Sequence, residues 1–468
     1  MSPETLLYVV VVSITWLLFF RLRSVRPRQV LMVFASCILY ASWGLGFLAL
    51  LILSSLMNYV LANWLRRHPS PARLWVGIIL NVALLSTFKY LPGIASSLPH
   101  TFVDAVFARV ILPVGISFWT LQALSYLLDV YRGEDLEPSL LEFLLYMTFW
   151  PTVLSGPICR LSRLLPQFRN STKPCAEDVR CGLDRICIGL VMTALGQVLA
   201  GGIHLGQGLD DAFDKIPQGW GGFDVWCMAV GYGFQLFFNF AGYSHIVIGA
   251  TRLFGIRLDE NFARPYLSTT PSEFWTRWHM SLSFWIRDYL FLPLALIRRE
   301  KWWRSVALVL SMVLFGLWHK GTMLFVLWGF YQGVLLVLHR LWQGLQRRFE
   351  WKSPHLIPEF LCWLVTFSAI CLGWVFFRSN TVPQAVMLLR AAATPSSYAS
   401  HVLPSSLYFA VFTCFIGYFA TIGAVELHRR SVGALTPSME LRLAFYAVAV
   451  YIGVLHTLQT QPFVYFQF

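Results

Sequence analysis

The chain has 468 residues, of which 57% are hydrophobic and only 13% are charged, with a mean hydropathy of +0.61. Because soluble domains carry about 25% charged residues, this composition excludes a soluble globular protein and indicates a membrane protein. The net charge of +13 comes from short basic clusters that border apolar segments. No cluster extends into a basic domain, which argues against a nucleic acid partner.

The apolar segments predict an all-α polytopic membrane protein that forms one integral membrane domain over residues 1–468. A helix needs about 20 apolar residues to cross the hydrocarbon core of a bilayer. With re-entrant segments included, we expect about 10–13 transmembrane and re-entrant helices. The candidate spans are 5–20, 29–46, 47–64, 74–90, 108–127, 184–203, 223–250, 358–377, 407–427 and 443–463.

The distribution of arginine and lysine predicts the orientation of these spans, because basic loops stay in the cytoplasm. Residues 66–73, 298–304 and 428–430 are then cytoplasmic. The loops that contain little arginine or lysine, 91–107, 204–222 and 379–406, then face outward. Arginines follow the first apolar run directly, so we expect a retained span rather than a cleaved signal peptide.

Residues 139–158 do not fit a simple span, because basic residues flank both ends. Arg132 precedes the segment and Arg160 follows it. A re-entrant or broken helix would return both ends to the cytoplasm. Pro151, Gly156 and Pro157 are suitable helix breakers.

The stretch "SEFWTRWHMSLSFWIRDYLFLPL", residues 272–294, predicts one amphipathic helix. Thr270, Pro271 and Glu273 read as a capping box at its start, and Pro293 as its end. One face of this helix would carry Trp275, Trp278, His279, Leu282, Ile286 and Tyr289. We expect the helix to lie at the membrane interface or within the helix bundle.

Residues 305–339 predict a hairpin, because basic residues lie at both ends. The apolar run from Ser305 to Leu317 would make about 20 Å of helix, which is too short for a hydrocarbon core of about 30 Å. Gly316 and Gly321 flank His319 and are expected to loosen the helix there. His319 should then lie near the top of the hairpin at membrane depth.

His279 and His319 are the candidate functional histidines. The alternative for each is a hydrogen-bonded packing role. An ionisable group at membrane depth costs a few kcal/mol and usually lines a pathway, which favours a functional role. The nine cysteines show no metal or redox spacing, so we expect no metal site.

Several ordered motifs resemble the membrane-bound O-acyltransferase family, in the bacterial branch that O-acetylates alginate. They are "LPVGISFWTLQALSYLLDVYRG" (112–133), "LSGPICR" (154–160), "ENFARPY" (260–266), the 272–294 stretch, "GLWHKGTMLFVLWGFYQG" (316–333) and "GWVFFRS" (373–379). The resemblance covers roughly residues 30 to 380. It implies helices arranged around a central funnel or tunnel, with His319 as the catalytic residue and His279 as the second characteristic histidine.

The resemblance also implies a function. A membrane O-acyltransferase of this branch takes an acetyl group from a cytoplasmic donor, acetyl-CoA, and has no bound cofactor. It serves O-acetylation of an exported polysaccharide such as alginate or cellulose. The implied partners are membrane lipid, a periplasmic SGNH-type acetyltransferase and the polysaccharide secretion machinery, at the bacterial inner membrane. D-alanyl or other acyl transfer on the same fold remains open, as does a polytopic transporter.

The remaining candidate residues surround these histidines in the sequence. Trp278, Arg277, Arg287 and Asp288 are candidates for the acyl-donor path. Trp318, Lys320 and His279 are candidates to stabilise the oxyanion. Asn239 and Tyr243 lie in "FNFAGYSH", where the branch usually has acidic residues at positions 239 and 245. Because Lys320 also replaces the usual glycine, alginate itself is not assigned as the substrate.

Overall fold

The computed structural model describes residues 3–92, 111–170, 173–201, 208–214, 219–349, 358–431 and 438–457. Every regular element in these ranges is helical. Seven helices in this part of the chain are long and apolar enough to cross a membrane. The prediction of an all-α polytopic membrane protein is therefore confirmed, whereas the central funnel stays an expectation.

The first part of the chain forms helices α1 to α8. Their bounds are Pro3–Arg21, Val25–Ala41, Leu45–Arg67, Pro71–Lys89, Ile116–Tyr131, Leu140–Thr148, Trp150–Val153 and Leu161–Arg169. The predicted spans from 5–20 to 108–127 fall on α1 to α5. The start of the last span and most of the loop 91–107 lie outside the described residues.

The rest of the chain forms helices α9 to α20. Their bounds are Ala176–Ala200, Leu209–Asp214, Gly222–Arg252, Pro271–Arg277, Met280–Ile286, Leu292–Leu296, Lys301–His319, Met323–Arg348, Glu359–Arg378, Val382–Ala393, Ser405–Ser431 and Met439–Thr457. A π-helical turn, Arg287–Phe291, joins α13 to α14. The predicted spans here fall on α9, α11, α17, α19 and α20, and the end of the last one lies outside the described residues.

The chain divides into two compact units. The first unit comprises Met1–Ile186, Ile246–Asn261 and Ser281–Leu290. The second comprises Cys187–His245, Phe262–Met280 and Phe291–Phe468. The single membrane domain inferred from the sequence stays a prediction.

In the first unit, polar contacts fix the broken segment predicted at 139–158. Ser139 and Glu142 form a capping box at the start of α6. Arg169 at the end of α8 binds the Glu142 carboxylate at 2.9 Å. The helix breaks at Phe149, whose ψ of 108° is not helical. The expected break is confirmed, and the depth of this segment in the membrane stays a prediction.

In the second unit, α15 and α16 form the predicted hairpin, and glycines let the two helices approach closely. A Cβ atom on Gly316 would lie 2.0 Å from the carbonyl oxygen of Phe325. A Cβ atom on Gly329 would lie 2.2 Å from the carbonyl oxygen of Met312. Gly316 therefore permits close packing inside a regular helix, and the expectation that it loosens the helix is wrong.

The length expected for the first arm of this hairpin is also wrong. Helix α15 has 19 residues, or about 28 Å. It is longer than the apolar run because it also includes the basic turn Lys301–Arg304 at its start and Trp318 and His319 at its end. His319 is its last residue, at the end opposite these basic residues.

The described parts of the loops 204–222 and 379–406 lie together in the second unit. The Gln384 amide donates to the carbonyl oxygen of Phe213 at 2.8 Å. The Ser400 hydroxyl donates to the carbonyl oxygen of Gly219 at 3.1 Å. The side of the membrane on which these loops lie stays a prediction.

Candidate active site

The segment around His279 is two helices, not the single helix predicted for residues 271–293. Helix α12 begins as expected, because the Thr270 hydroxyl accepts from the Glu273 backbone N–H at 3.1 Å. The Glu273 carboxylate accepts from the Thr269 N–H at 2.8 Å, so the reciprocal contact is shifted by one residue. Helix α12 ends at Arg277, and α13 begins at Met280.

The break has an identifiable geometry. Trp278 is extended, with φ −107° and ψ 127°, and His279 has a positive φ of 42°. A left-handed conformation costs an L-residue roughly 1–2 kcal/mol. Residues hold such strain where the surroundings impose it, frequently at functional sites. The single amphipathic face that included Trp278, His279 and Leu282 is therefore wrong, because it does not continue through the break.

Contacts on both sides of the break explain why it forms. In the second unit, the Arg277 carbonyl accepts from the Ala263 N–H at 3.0 Å. In the first unit, the Ser281 hydroxyl donates to the Asn261 side chain at 2.6 Å and accepts from the Ile158 N–H at 3.0 Å. Pro293 also does not end the helix as predicted. It lies in the first turn of α14, where proline is well tolerated.

His279 lies in an aromatic environment in the second unit. Its side chain is 1% exposed, and its ring meets the Phe240 ring edge-on at 4.6 Å. The neighbouring Trp278 stacks on Phe274 at 5.4 Å and contacts Trp374 at 5.0 Å. Arg277 pairs with Glu273 at 2.6 Å within α12, so its charge is already partnered.

His319 lies at the C-terminal end of α15 and is 3% exposed. Its ring centroid is 4.9 Å from Trp318, 5.2 Å from Phe377 and 5.6 Å from Trp328. Trp328 in turn stacks on Trp374 at 6.3 Å. An aromatic cluster of Trp328, Trp374 and Trp278 therefore extends from His319 to the residue that precedes His279. The sequence reading did not select Trp328 or Trp374, although both lie in the motifs that it quoted.

The other candidates of the second unit lie in different surroundings. Lys320 is exposed and extended, and its N–H donates to the carbonyl oxygen of Gly316 at 3.2 Å. Asn239 is buried on α11, where a Cβ atom on Gly196 of α9 would lie 2.3 Å from its amide oxygen. Tyr243, half-buried, follows four residues later on the same face of α11.

Arg287 and Asp288 belong to an ion-pair network of the first unit. The Asp288 carboxylate binds Arg160 and accepts from Arg287 at 2.7 Å. Burial raises the pKa of Asp288, but these two hydrogen bonds outweigh it and hold that pKa below its usual range. Arg132 also donates to the Asp288 carbonyl at 2.8 Å.

Tyr289 connects the same network to a buried acid. Arg132 and Arg160 lie over its ring at 4.9 Å and 5.0 Å. Its hydroxyl donates to the Asp129 carboxylate at 2.7 Å. From the sequence, Arg287 and Asp288 were site candidates, whereas Arg132 and Arg160 were used only to orient a segment and Asp129 was not selected. The motifs "LLDVYRG" and "GPICR" contain Arg132, Arg160 and Asp129 and were the available signal.

Comparison with known proteins identifies the family of the chain. The sequence model described as "MBOAT, membrane-bound O-acyltransferase family" matches residues 103–378, a range that includes both histidines. "Probable alginate O-acetylase AlgI" of Pseudomonas syringae pv. tomato is 32% identical, over 77% of this chain and 69% of that protein. "Peptidoglycan O-acetyltransferase" of Helicobacter pylori is 31% identical, over 77% of this chain and 72% of that protein.

A further relative has a different acyl group in its name. "Teichoic acid D-alanyltransferase" of Bacillus subtilis is 27% identical, over 57% of this chain and 69% of that protein. The family match covers more than half of the chain and includes the broken helix, the α15–α16 hairpin and the aromatic cluster between them. The chain is an integral membrane enzyme that belongs to the membrane-bound O-acyltransferase family.

Proposed function

We propose that this enzyme takes an acetyl group from acetyl-CoA on the cytoplasmic side of the bacterial inner membrane. It passes the group across the membrane for O-acetylation of an exported cell-envelope polysaccharide. The observation that carries this proposal is the position of His319. A buried histidine ends a helix that is long and apolar enough to cross a membrane, 18 residues after the start of that helix at Lys301.

The proposed chemistry uses His319 as the general base. Its neutral imidazole accepts the proton of an acceptor hydroxyl while the hydroxyl oxygen attacks the thioester carbonyl. The tetrahedral intermediate then breaks the carbon–sulfur bond. The imidazolium returns the proton to the leaving thiolate, so the products are an ester and a free thiol. The rings of Trp318, Trp328 and Phe377 around His319 would keep water from competing with the acceptor.

The path of the acyl group would follow the aromatic cluster in the second unit. Trp278 and Trp374 connect the surroundings of His279 to Trp328 and His319. His279 would orient the donor or stabilise the oxyanion from this position. Trp318 is a further candidate donor for the oxyanion because its ring contacts His319 at 4.9 Å. Lys320, being exposed, would act only at the rim of the site.

The names of the relatives support the proposed acceptor, and the partners are those that the family resemblance implies. Two of them are named as an alginate O-acetylase and a peptidoglycan O-acetyltransferase, so a cell-envelope glycan is the proposed final acceptor. A periplasmic SGNH-type acetyltransferase would receive the group and deliver it, together with the polysaccharide secretion machinery. Alginate or cellulose are two polymers that such a system would modify.

D-alanyl transfer is the second candidate acyl chemistry. It has support from a named teichoic acid D-alanyltransferase, although that protein is less similar and matches less of the chain than the O-acetylases do.

The test is acyl transfer by the purified protein, with labelled acetyl-CoA and with a D-alanyl thioester as alternative donors. His319→Ala should lower the acetyl transfer rate by about 10²–10⁴-fold, the usual contribution of a general base. His339→Ala on α16 is the matched control, because that half-buried histidine lies outside the aromatic cluster. The control should keep the wild-type rate.

A His319→Ala protein that turns over near the wild-type rate would remove this residue from the chemistry. Transport of an acetylated molecule across the proteoliposome membrane, with its acetyl group still on the same molecule, would favour the transporter instead. A preference of the wild type for the D-alanyl donor would contradict the acetyl assignment.

A further inference from the structure

Gln332 on α16 is a buried amide inside the aromatic interior of the second unit. Its side chain is 0% exposed. It follows Trp328 by four residues, so both side chains lie on the same face of α16, about 6 Å apart along the axis. A Cβ atom on Gly373 of α17 would lie 2.5 Å from the Gln332 amide nitrogen. Gly373 therefore leaves the space that this amide occupies.

The polar atoms of this pair have no partner in the described part of the protein. Neither the amide nitrogen nor the amide oxygen of Gln332 makes a hydrogen bond, and neither does the indole N–H of Trp328. Each unsatisfied buried polar group costs about 1–3 kcal/mol. Three such groups within one helical turn, next to His319, are expensive unless a ligand satisfies them.

The surroundings define the chemistry of that ligand. The Trp328 ring contacts Trp275, Phe315, His319, Trp374 and Phe377. Apart from His319, none of these partners can carry a charge, so a charged ligand group would be disfavoured. The indole N–H needs an acceptor, and the Gln332 amide needs one acceptor and one donor. A neutral group with a carbonyl oxygen and an N–H, such as a secondary amide, provides both.

We propose that Gln332, with the indole N–H of Trp328, binds an amide of the arm that carries the acyl thioester. This arm would then be held in the aromatic cluster with its thioester carbonyl directed to His319. The inference rests on the proposed function, because that function supplies an acyl donor with amide groups. Gln332 lies beyond Trp328 toward Arg340, Arg347 and Arg348 of α16, the end that the sequence predicts to be cytoplasmic. It would be a donor-binding residue rather than a base.

The first experiment measures steady-state transfer by Gln332→Met and Gln332→Leu, which keep the volume and remove the amide. The loss of one or two buried hydrogen bonds should raise the donor KM about tenfold. The acceptor KM should stay unchanged and kcat should stay within about twofold, because uniform binding of the donor is lost. A change in the acceptor KM alone, or no change in either KM, would overturn the assignment.

The second experiment varies the donor. The wild type should prefer S-acetyl-N-acetylcysteamine, which contains an amide, over an acetyl thioester of a simple alkanethiol. Gln332→Met should lose that preference. Changing the protein and the donor together measures the coupling between the Gln332 amide and the donor amide. An undiminished preference in the variant would contradict a contact between Gln332 and the amide.

A structural role is distinguished by stability and by a matched control. Asn81 on α4 exchanges hydrogen bonds with Asn58 on α3 at 2.8 and 3.1 Å. Asn81→Leu removes a satisfied buried amide, and should lower the midpoint of thermal unfolding without affecting the donor KM. Gln332→Leu should keep or raise that midpoint, because it removes an unsatisfied group. The opposite result for Gln332→Leu, with an unchanged KM, would make Gln332 a packing residue.

Equilibrium binding separates this inference from the proposed function. A thioether analogue of acetyl-CoA, which cannot transfer its acyl group, should bind the wild type about tenfold more tightly than Gln332→Met. Weaker binding by the variant would support the inference even if no acetyl transfer is found. Equal affinity would refute it even if acetyl transfer is confirmed.

Discussion

The left-handed conformation of His279 makes a specific prediction about glycine at this position. His279→Gly and His279→Ala both remove the ring that contacts Phe240, so both lose the same aromatic contact. Glycine relieves the strain of the positive φ, roughly 1–2 kcal/mol. It costs about 0.5–1 kcal/mol of backbone entropy and about 0.8 kcal/mol for the buried methyl group that alanine keeps. These contributions nearly cancel, so the glycine variant should be as stable as the alanine variant.

A regular helix would give a different result. In a helix interior glycine is less stable than alanine by about 1 kcal/mol, and the lost methyl group would add to that difference. Ala307→Gly in α15, which is fully buried, is the control and should show this full loss. The assay is unfolding of detergent-purified protein, with acetyl transfer per folded molecule measured in parallel.

Two outcomes of this assay would count against the structural argument. If glycine at position 279 is destabilising relative to alanine by as much as it is at position 307, the positive φ does not govern the site. If the two His279 variants retain the full transfer rate per folded molecule, the histidine ring is a packing group. Equal stability with a shared loss of transfer is the result that we expect.

Two further predictions concern stability. Gly316→Ala should cost about 1–3 kcal/mol and reduce acetyl transfer, because the added Cβ would lie 2.0 Å from the Phe325 carbonyl oxygen. Gly344→Ala on α16, where nothing lies within 4 Å of the added Cβ, should instead stabilise the protein by about 0.5–1 kcal/mol. Equal effects of the two substitutions on thermal unfolding would contradict the close packing at Gly316. Burial raises the pKa of Glu142, but hydrogen bonds from Arg169 and Ser139 outweigh it and hold that pKa below its usual range. The ionised carboxylate therefore stabilises the fold near neutral pH, and this stabilisation is lost as the pH falls through the lowered pKa. Unfolding of Glu142→Gln should therefore show a deficit at pH 7 that shrinks below about pH 4, and a pH-independent deficit would refute the ionic contribution.

The structural elements that depend on a few neighbouring residues could be predicted from the sequence. The apolar spans, the cap at Thr270, the break within 139–158 and the hairpin between Ser305 and His339 all follow from hydrophobicity, capping residues and helix breakers. These are properties of a few consecutive side chains, and the structure agrees with them.

The break at His279 could not be predicted in this way. No glycine or proline marks residues 277–280, and the helical spacing of the apolar residues continues through them. The contacts that impose the break, Ala263 with Arg277 and Asn261 with Ser281, join segments from different parts of the chain. Gln332 was missed for a related reason. A single glutamine in an apolar helix is unremarkable until its neighbours are known to leave its amide unsatisfied.

The division into two units has a consequence for biogenesis. The chain enters the second unit at Cys187, leaves it after His245, returns at Phe262, leaves it after Met280 and returns again at Phe291. Neither unit is therefore encoded by a contiguous stretch that could be cloned or inserted by itself. The aromatic contacts that join Trp278 to His319 can form only after the α15–α16 hairpin has been translated, so the site cannot assemble from the first part of the chain alone.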